Sequence, residues 1–360
     1  MMREALISKT ALLHNVQILK KKVGASSRIL AFLKAHAYGH DLKWVAQTIA
    51  DQIEGIAVSS LDEVDLLKTQ GIQTPIILTS QYVTKDLCEA MADQEVQLVI
   101  HHLEHLEILK TLQLKRPLSI WLKVNTGMNR LGIPLNQLIS TLQVLKGLKH
   151  IEATVTLMTH YATAEVATHL KTQEQYQHFM TFPKNALYPV CASNSAAVWT
   201  LPTLEADWVR PGISLYGVSP LPDQCGHDLN LKPVMTLRAQ IISIQSLDIG
   251  DTVGYGCRWS ATTPTDIAVV ALGYADGIPW DTPDGTQVMV NGIKYPIVGR
   301  VSMDLITLNL GVDHAVNIGD WTIFWGPELP VEHFANAVKT SPYELLCRVG
   351  PRVQRRLIES

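Results

Sequence analysis

The sequence predicts an α/β fold, in which an N-terminal eight-stranded (β/α)8 barrel is followed by a mostly antiparallel β domain. Eight short apolar runs recur at intervals of about 20–35 residues through the first two-thirds of the chain, which is the βα repeat of such a barrel. Beyond residue 229 the runs are longer and alternate apolar with polar side chains, which is typical of antiparallel strands. A doubly wound open sheet is the alternative, but it more often has five or six strands.

The barrel strands are predicted where apolar, β-rich runs are separated by segments of helical period. Residues 61–70 and 136–148 are two such helical segments, with apolar side chains spaced three and four positions apart. The eight predicted barrel strands are residues 28–33, 55–59, 75–79, 96–100, 119–124, 152–158, 188–193 and 207–212.

The second domain begins after a polar stretch rich in turn-forming residues, 219–230, which we interpret as the domain boundary. The barrel is therefore predicted over residues 1–226 and the β domain over residues 227–360. An Asn-Gly step at 291–292 predicts a two-residue hairpin turn. The predicted strands of this domain are residues 236–247, 265–272, 286–290, 293–301, 305–310 and 321–325.

Composition narrows the class of protein. Apolar residues make up 47% and charged residues 18% of the 360 positions, which excludes a disordered chain. A net charge of −3 argues against a bulk electrostatic grip on nucleic acid, and no apolar run approaches the ~20 residues of a membrane helix. The N-terminus has no secretory pattern, and the five scattered cysteines fit a reducing compartment. We expect a cytoplasmic protein without nucleic-acid or membrane partners.

Polar side chains that could carry chemistry cluster just after the predicted strands of the barrel. In a parallel barrel these C-terminal strand ends share one face, where active sites are built. The residues at or just beyond these ends are Lys34, Tyr38, His40, Lys123, Arg130, His160, Asn194, Ser195, Arg210, Gly212 and Ile213.

Lys34 is the candidate nucleophile among them. A lysine at a strand end is more often a solvated surface charge, and a histidine there is more often a satisfied polar group. Lys34, however, follows a fully apolar run, and a desolvated lysine is easily deprotonated and can form a Schiff base with a carbonyl. The glycine-containing loops after strands seven and eight are where barrels commonly bind phosphate. A lysine, a phosphate-binding loop and an arginine together are typical of a pyridoxal phosphate site.

Three other patterns are interpreted as having no catalytic or ligand-binding role. His101 and His105 lie one helical turn apart but lack the H-E-x-x-H order, so we interpret them as a solvated helix face and predict no metal site. The glycines of residues 254–259 lie between β segments, which does not favour a dinucleotide loop. The arginine-rich tail is interpreted as solvated or interface charge.

The chain resembles the alanine racemases. The resemblance rests on nine motifs, which occur in the same order as in that family. The resemblance extends from about residue 5 to residue 355, which is nearly the whole chain. It implies a barrel followed by a β domain, working as a homodimer. The motifs are LKAHAYGH, NTGMNRLG, THYA, ASNSAA, RPGISLYG, LKPVMTLRAQI, VGYGCRW, LGYADG and GRVSMD.

The resemblance also implies a role for each matching residue. Lys34 would hold pyridoxal 5′-phosphate as an internal aldimine, and Arg210 would face the pyridine nitrogen. His160 would bond to Arg210, and Arg130 would approach the ring hydroxyl and the substrate carboxylate. The residues implied to bind the phosphate and the rest of the cofactor are Tyr38, Asn194, Ser195, Gly212 and Ile213. Tyr255 and the backbone at Met303 would come from the partner subunit, and Tyr274, Arg300 and Asp304 would line or support the entry to the site. Lys123 would be carbamylated.

Two positions depart from the pattern of some family members. Ser302 stands where some members have cysteine, and Pro351 falls where some members have a tyrosine that contacts the phosphate. Neither departure touches the implied catalytic pair, Lys34 and Tyr255.

The resemblance implies a racemase that interconverts L-alanine and D-alanine by a two-base mechanism and supplies D-alanine for peptidoglycan. A serine or broad-specificity racemase on the same scaffold is the alternative. A pyridoxal phosphate carrier without catalysis would resemble the barrel alone. A fold-related decarboxylase would place an acid, not Arg210, at the pyridine nitrogen.

Overall fold

The computed structural model describes residues 2–166, 168–180, 188–201 and 206–359. Within them, strand and helix alternate up to Arg210, and strands dominate beyond Met235. The strands are β1 (Arg3–Ser8), β2 (Arg28–Phe32), β3 (Gly55–Val58), β4 (Ile76–Leu78), β5 (Gln97–Ile100), β6 (Ile120–Asn125), β7 (Ile133–Pro134), β8 (Thr156–Met158), β9 (Val190–Asn194), β10 (Trp208–Arg210), β11 (Met235–Leu247), β12 (Thr252–Val253), β13 (Trp259–Ser260), β14 (Thr265–Val270), β15 (Gln287–Val290), β16 (Ile293–Val298), β17 (Ile306–Gly311), β18 (Trp321–Trp325) and β19 (Gln354–Ile358).

The described α-helices are α1 (Lys9–Val23), α2 (Lys34–Tyr38), α3 (Leu42–Ile49), α4 (Leu61–Thr69), α5 (Lys85–Asp93), α6 (Glu104–Thr111), α7 (Leu138–Lys146), α8 (Leu170–Met180), α9 (Ser195–Thr200), α10 (Val331–Ala337) and α11 (Pro342–Arg348). Several begin at a side-chain cap of the expected type: the side chains of Ser8, Ser60 and Thr84 accept hydrogen bonds from the first turns of α1, α4 and α5. No described helix combines the length and apolarity needed to cross a bilayer.

The predicted barrel is confirmed. Its wall runs β2–β3–β4–β5–β6–β8–β9–β10 through parallel pairings, and β10 pairs with β2 to close it. Each wall strand overlaps one of the eight strands predicted from the apolar runs. One apolar side chain from each fills the interior, which makes the barrel a packed core and leaves its mouth for chemistry. These interior side chains are Leu30, Ala57, Ile77, Val99, Trp121, Met158, Cys191 and Trp208.

The antiparallel second sheet is also confirmed. It runs β14–β17–β16–β15–β18–β11–β1–β19, and all six predicted strands of this domain belong to it. The predicted hairpin joins β15 to β16, with Val290 opposite Ile293. Asn291 and Gly292 have φ of 50° and 79°, which is the left-handed backbone that this two-residue turn requires.

Two strands of the second sheet lie outside the predicted set, at the two ends of the chain. β1 pairs antiparallel with β11 and parallel with β19, so the chain starts in the second sheet before α1 enters the barrel. Glu4 of β1 is buried and forms ion pairs with Arg238 and Arg356, so part of the arginine-rich tail is structural. The predicted boundary between residues 226 and 227 stays a prediction.

Candidate active site

A cavity of about 700 Å³ opens at the C-terminal mouth of the barrel. It gathers side chains that are far apart in the sequence because parallel strands end on one face. The strand-end residues singled out from the sequence that line it are Lys34, Tyr38, Arg130, His160, Asn194, Ser195, Arg210, Gly212 and Ile213.

Lys34 begins α2, whose backbone is unusual. Residues 35–38 all have φ of 53–55°, and for Ala35, His36 and Ala37 ψ is 47–50°, so α2 makes a left-handed turn built without glycine. This conformation costs an L-residue about 1–2 kcal/mol each, and it occurs as a rule only in single residues. Such strain persists only where several surrounding contacts together hold the backbone in the strained conformation, and this is common at functional sites.

His40 is one of those contacts. Its Nδ1 lies 2.9 Å from the carbonyl oxygen of Tyr38 and 3.2 Å from that of Ala37, so this nitrogen carries the proton and donates to the turn. The imidazole stacks on Tyr216 at 4.5 Å, and Tyr216 in turn packs against Tyr38. Complete burial lowers the pKa of His40 to about 4, so the ring is neutral at physiological pH.

The second domain supplies the other contact. Arg355 of β19 donates to the carbonyl oxygen of Gly39 at 3.1 Å, directly after the left-handed turn. A Cβ added at Gly39 would lie 2.2 Å from the carbonyl oxygen of Leu346 in α11, so only glycine allows the two segments to approach this closely. The turn that carries Lys34 is therefore clamped between the barrel and the second domain.

Positive charge is concentrated around the cavity. Burial, and then the nearby Arg130 guanidinium, lower the pKa of Lys34. Burial, together with the nearby cations Arg210, Arg130 and Lys34, lowers the pKa of Lys123 to about 8. This clustering of cations suits a ligand with anionic groups, and it favours neutral amines in its absence.

Arg210 and His160 form a fixed pair. The buried Arg210 guanidinium donates to the carbonyl oxygens of Cys191 at 2.9 Å and Thr159 at 2.8 Å. It also lies 3.1 Å from Nδ1 of His160, and because arginine has no acceptor, Nδ1 accepts and Nε2 carries the proton. Burial and the facing cations lower the pKa of His160 to about 2, so it stays neutral.

A small cradle forms where β9 and β10 end. The Ser195 hydroxyl accepts a 2.8 Å hydrogen bond from the backbone N–H of Gly212, and Asn194 caps α9 by accepting from Ala197 N–H. A Cβ at Gly212 would lie 2.5 Å from the Tyr38 hydroxyl oxygen. The hydroxyls of Ser195 and Tyr38, beside a space that no side chain fills at Gly212, are chemistry that suits a phosphate.

The C-terminal segment contributes to the cavity through Tyr343, which the sequence interpretation missed. Tyr343 of α11 lines the cavity and packs against Tyr38 with ring centroids 6.1 Å apart, and Cys347 one turn later also lines it. Pro351, the position compared with the family's tyrosine, is exposed in the turn after α11. The segment YELLCRVGPRV, residues 343–353, contains both Tyr343 and Pro351, but its spacing alone does not say which residue reaches the barrel.

A second group of predicted residues does not line this cavity in the described chain. Three of them, Tyr255, Tyr274 and Met303, have exposed fractions of 73%, 40% and 53%. Together with Trp280, which is 51% exposed and was not predicted from the sequence, they form what we call the exposed apolar surface. The segments around Tyr274 and Met303 are held together by backbone hydrogen bonds, of 3.0 Å from Tyr274 N–H to the Ser302 oxygen and 3.1 Å from Ala275 N–H to the Met303 oxygen.

Two charged residues predicted for the access path lie beside this surface. The Arg300 guanidinium stacks 4.3 Å above the Trp280 ring, and Asp304 forms an ion pair with Arg352. The structure thus separates the predicted residues into a barrel-mouth set and a second-domain set.

Comparison with known proteins decides the family. The model of the alanine racemase N-terminal domain matches residues 7–220, and that of the alanine racemase C-terminal domain matches residues 234–357. The chain belongs to the alanine racemase family. Among curated alanine racemases, it is 39% identical over 347 residues to that of Shewanella piezotolerans, covering 96% of both chains. It is also 39% identical to that of Nitrosococcus oceani, over 98% of this chain and 99% of the relative.

Solved alanine racemase structures have the same architecture. The biosynthetic alanine racemase of Pseudomonas aeruginosa superposes with a TM-score of 0.95 at 34% identity, covering 99% of each chain. The alanine racemase of Bartonella henselae, solved with covalently bound pyridoxal phosphate, gives a TM-score of 0.90 at 28% identity over 99% of this chain and all of that one. Because both domain models of the alanine racemase family match, a barrel-only carrier is not favoured.

The residues of the barrel mouth fit the cofactor of that relative. Lys34 offers an amine of lowered pKa, and the Ser195–Gly212 cradle offers donors without a side chain in the way. Arg210 adds a guanidinium that cannot lose its proton.

Proposed function

We propose that the protein interconverts L-alanine and D-alanine with pyridoxal 5′-phosphate, as a homodimer, and supplies D-alanine for peptidoglycan in the cytoplasm. The observation that carries this proposal is Lys34 of lowered pKa on a clamped left-handed turn, beside a phosphate-type cradle, in a chain of the alanine racemase family. A reducing compartment is supported by the five free cysteines.

Pyridoxal phosphate, when bound, supplies an electron sink that acidifies the α-proton of an amino acid. Lys34 would hold it covalently, with its phosphate against Tyr38, Asn194, Ser195, Gly212 and Ile213. Arg210 can only donate toward the pyridine nitrogen, because a guanidinium keeps its proton at any physiological pH. A pyridine nitrogen facing Arg210 would stay unprotonated, which would limit charge delocalisation and favour return of the proton to Cα.

Racemisation removes a proton from one face of Cα and returns one to the other, so two bases on opposite faces avoid any movement of the substrate. Lys34 serves one face, and partial desolvation of its amine, followed by the nearby Arg130, lowers its pKa. Tyr255 of the partner subunit serves the other face. A phenol with a pKa near ~10 needs assistance to act as a base at neutral pH. His160 provides it, because its protonated Nε2 can donate to a phenolate oxygen while Arg210 holds Nδ1.

The dimer completes this pair of bases. Tyr255 is 73% exposed and does not line the cavity of its own described chain. The exposed apolar surface around it is of the kind that marks a protein–protein contact. Met303 would contribute its backbone to the partner's site, and Tyr274, Arg300 and Asp304 would border the path by which alanine enters.

Arg130 would bind the substrate carboxylate, and Lys123 would orient it. Two cations about 4 Å apart repel by roughly 1 kcal/mol in water and by more when partly buried. Carbamylation of the Lys123 amine by carbon dioxide converts this cation to an anion that can accept a charge-assisted hydrogen bond from Arg130. The lowering of the Lys123 pKa to about 8 supports this modification, because only a neutral amine reacts.

The modification is tested with carbon-13 bicarbonate at neutral pH. We expect a carbamate carbonyl resonance in the wild-type protein and none in Lys123→Ala. If the wild-type spectrum lacks the resonance with bicarbonate present, Arg130 is oriented by another group.

The activity is tested by incubating the cofactor-loaded protein with L-alanine in deuterated water. Racemisation predicts α-deuterated alanine of both hands, and the Lys34→Ala variant should give neither. Serine is run in parallel, and turnover of serine equal to that of alanine would favour the broad-specificity alternative. Absence of labelled alanine with the cofactor bound would refute the proposal.

A further inference from the structure

Four potential metal ligands meet where the linker between the two domains packs on the second domain. Cys225, His227 and Asp228 lie at the short turn Gly226–Leu229, and His333 lies on α10. The ligand atoms of the first three all lie within 4.8 Å of one another. His333 comes from a different element, so the cluster is not merely a local feature of one turn.

Two distances within the cluster are close to those between neighbouring ligand atoms of a tetrahedral site. The Cys225 sulfur lies 3.5 Å from Nε2 of His333, and Nε2 of His227 lies 3.1 Å from the Asp228 Oδ1. Zinc bonds of about 2.0–2.3 Å in tetrahedral geometry place neighbouring ligand atoms roughly 3.3–3.7 Å apart. Side-chain rotation would bring the His333 imidazole, which contacts the Cys225 sulfur, into one group of ligands with His227 and Asp228.

The turn is already fixed on α10 by hydrogen bonds that leave the ligands available. The buried carboxylate of Glu332 accepts from the backbone N–H of Gly226 at 2.9 Å and of Ser219 at 3.0 Å. The second oxygen of Asp228 accepts from Cys225 N–H at 2.9 Å, which orients Oδ1 toward His227. Supporting contacts of this kind position metal ligands before the ion binds.

A histidine beside a carboxylate is common on protein surfaces, and this chain has such a pair in His102 and Glu104, 3.7 Å apart. The cluster at the linker differs from it by the half-buried Cys225 thiol and by the second imidazole of His333. Sulfur and imidazole donors together with one carboxylate favour zinc over magnesium or calcium, which prefer oxygen ligands.

We propose that Cys225, His227, Asp228 and His333 form a structural zinc site that ties the linker to α10. All four tetrahedral positions are taken by side chains of this chain, which is the arrangement of a structural site rather than a catalytic one. Binding displaces the thiol proton and stabilises the folded chain in proportion to the free zinc concentration.

The test uses the cofactor-loaded protein after chelator treatment, titrated with zinc chloride and, separately, with cobalt chloride. Cobalt reports on the sulfur ligand through an intense thiolate-to-metal absorption. We expect one ion per chain, an increase in melting temperature with added zinc, and a thiolate band in the cobalt complex. Cys225→Ser should abolish that band, and Cys225→Ser and His333→Ala should each weaken zinc binding at least tenfold.

Two matched variants keep the test specific. His102→Ala removes a surface histidine that pairs with a carboxylate, and Cys257→Ser removes an exposed thiol elsewhere in the second domain. Both should retain wild-type zinc affinity and the cobalt band. Equal zinc affinity in the wild type, Cys225→Ser and His333→Ala would overturn the proposal, as would a wild-type cobalt complex without the thiolate band. The far-ultraviolet circular dichroism of each variant without metal confirms that it is folded.

Discussion

The barrel mouth and the exposed apolar surface of the second domain differ in how much of the site one chain completes. At the mouth, Lys34 and Arg210 are held by contacts within the chain, including the remote Arg355. On the other surface, Tyr255 is largely exposed and is shaped by its own loop, in which Gly254 and Gly256 supply the positive φ. The comparison teaches that one chain pre-organises the residues we propose to hold the cofactor, while the second base that we propose would depend on a partner subunit.

Removal of the barrel-mouth lysine should have the largest effect. Lys34→Ala removes both the covalent anchor and one base, so we expect racemisation to fall by at least about 10³-fold. The visible absorbance of the bound cofactor should be lost with it. A racemisation assay and an absorption spectrum check this, with Lys20→Ala on α1 as the control. Normal turnover in Lys34→Ala would assign the cofactor to another residue.

Removal of the second base should have a smaller and asymmetric effect. Tyr255→Phe should slow proton transfer at one face by about 10²-fold or more, and slow exchange of the α-proton of L-alanine more than that of D-alanine. Proton exchange in deuterated water, measured from each enantiomer, distinguishes the two faces. Equal loss from both enantiomers would count against two bases.

Mixed dimers test whether Tyr255 acts in the site of its partner subunit. If the mouth of one chain uses Tyr255 of the partner subunit, a dimer of Lys34→Ala with Tyr255→Phe holds one site with both bases intact. Mixing the two impaired variants should then give more activity than either variant alone. No recovery after verified subunit exchange would place both bases in one chain.

The sequence predicted those parts of the fold and the site that depend on the hydrophobic periodicity of the strands. The apolar runs located every wall strand of the barrel, and the strand ends located Lys34, Arg130, His160 and Arg210. The left-handed turn after Lys34 could not be predicted, because residue propensities oppose it and its clamp, Arg355, is more than 300 positions away. β1 was not predicted for a similar reason, since its partners β11 and β19 are both remote from it in the sequence.

Acidification should weaken the clamp at the barrel mouth. The pKa of His40 is about 4 in the folded chain and 6.5 when unperturbed, so between these values only the unfolded chain binds the proton. The stabilisation from neutral His40 is therefore complete above pH 6.5 and decreases as the pH falls toward 4, by roughly 1 kcal/mol per pH unit.

Urea midpoints at pH 7 and pH 5, at one protein concentration, measure this effect. His40→Asn cannot titrate but keeps an amide that can donate to the turn, so its midpoint should depend less on pH than that of the wild type. His160, whose pKa is also lowered by burial, leaves a residual pH dependence in both proteins. An unchanged pH dependence of the urea midpoint in His40→Asn would show that titration of His40 does not contribute to the pH dependence of stability.

Relief of the strained backbone should have the smallest effect. Ala35 is exposed and has φ of 53° and ψ of 50°, a conformation that costs alanine about 1–2 kcal/mol. Glycine adopts it freely but loses about 0.5–1 kcal/mol through its greater freedom in the unfolded chain. Ala35→Gly should therefore leave stability unchanged or raise it by up to about 1.5 kcal/mol.

The matched control is Ala90→Gly, because Ala90 is exposed in the right-handed helix α5. There glycine should destabilise the protein by about 1 kcal/mol, since no strain is relieved. Urea unfolding of the two variants compares them directly, and the difference between their midpoints measures the strain at the turn. If both substitutions destabilise equally, the backbone at Ala35 is not strained, and the clamp by His40 and Arg355 has no conformational cost to offset.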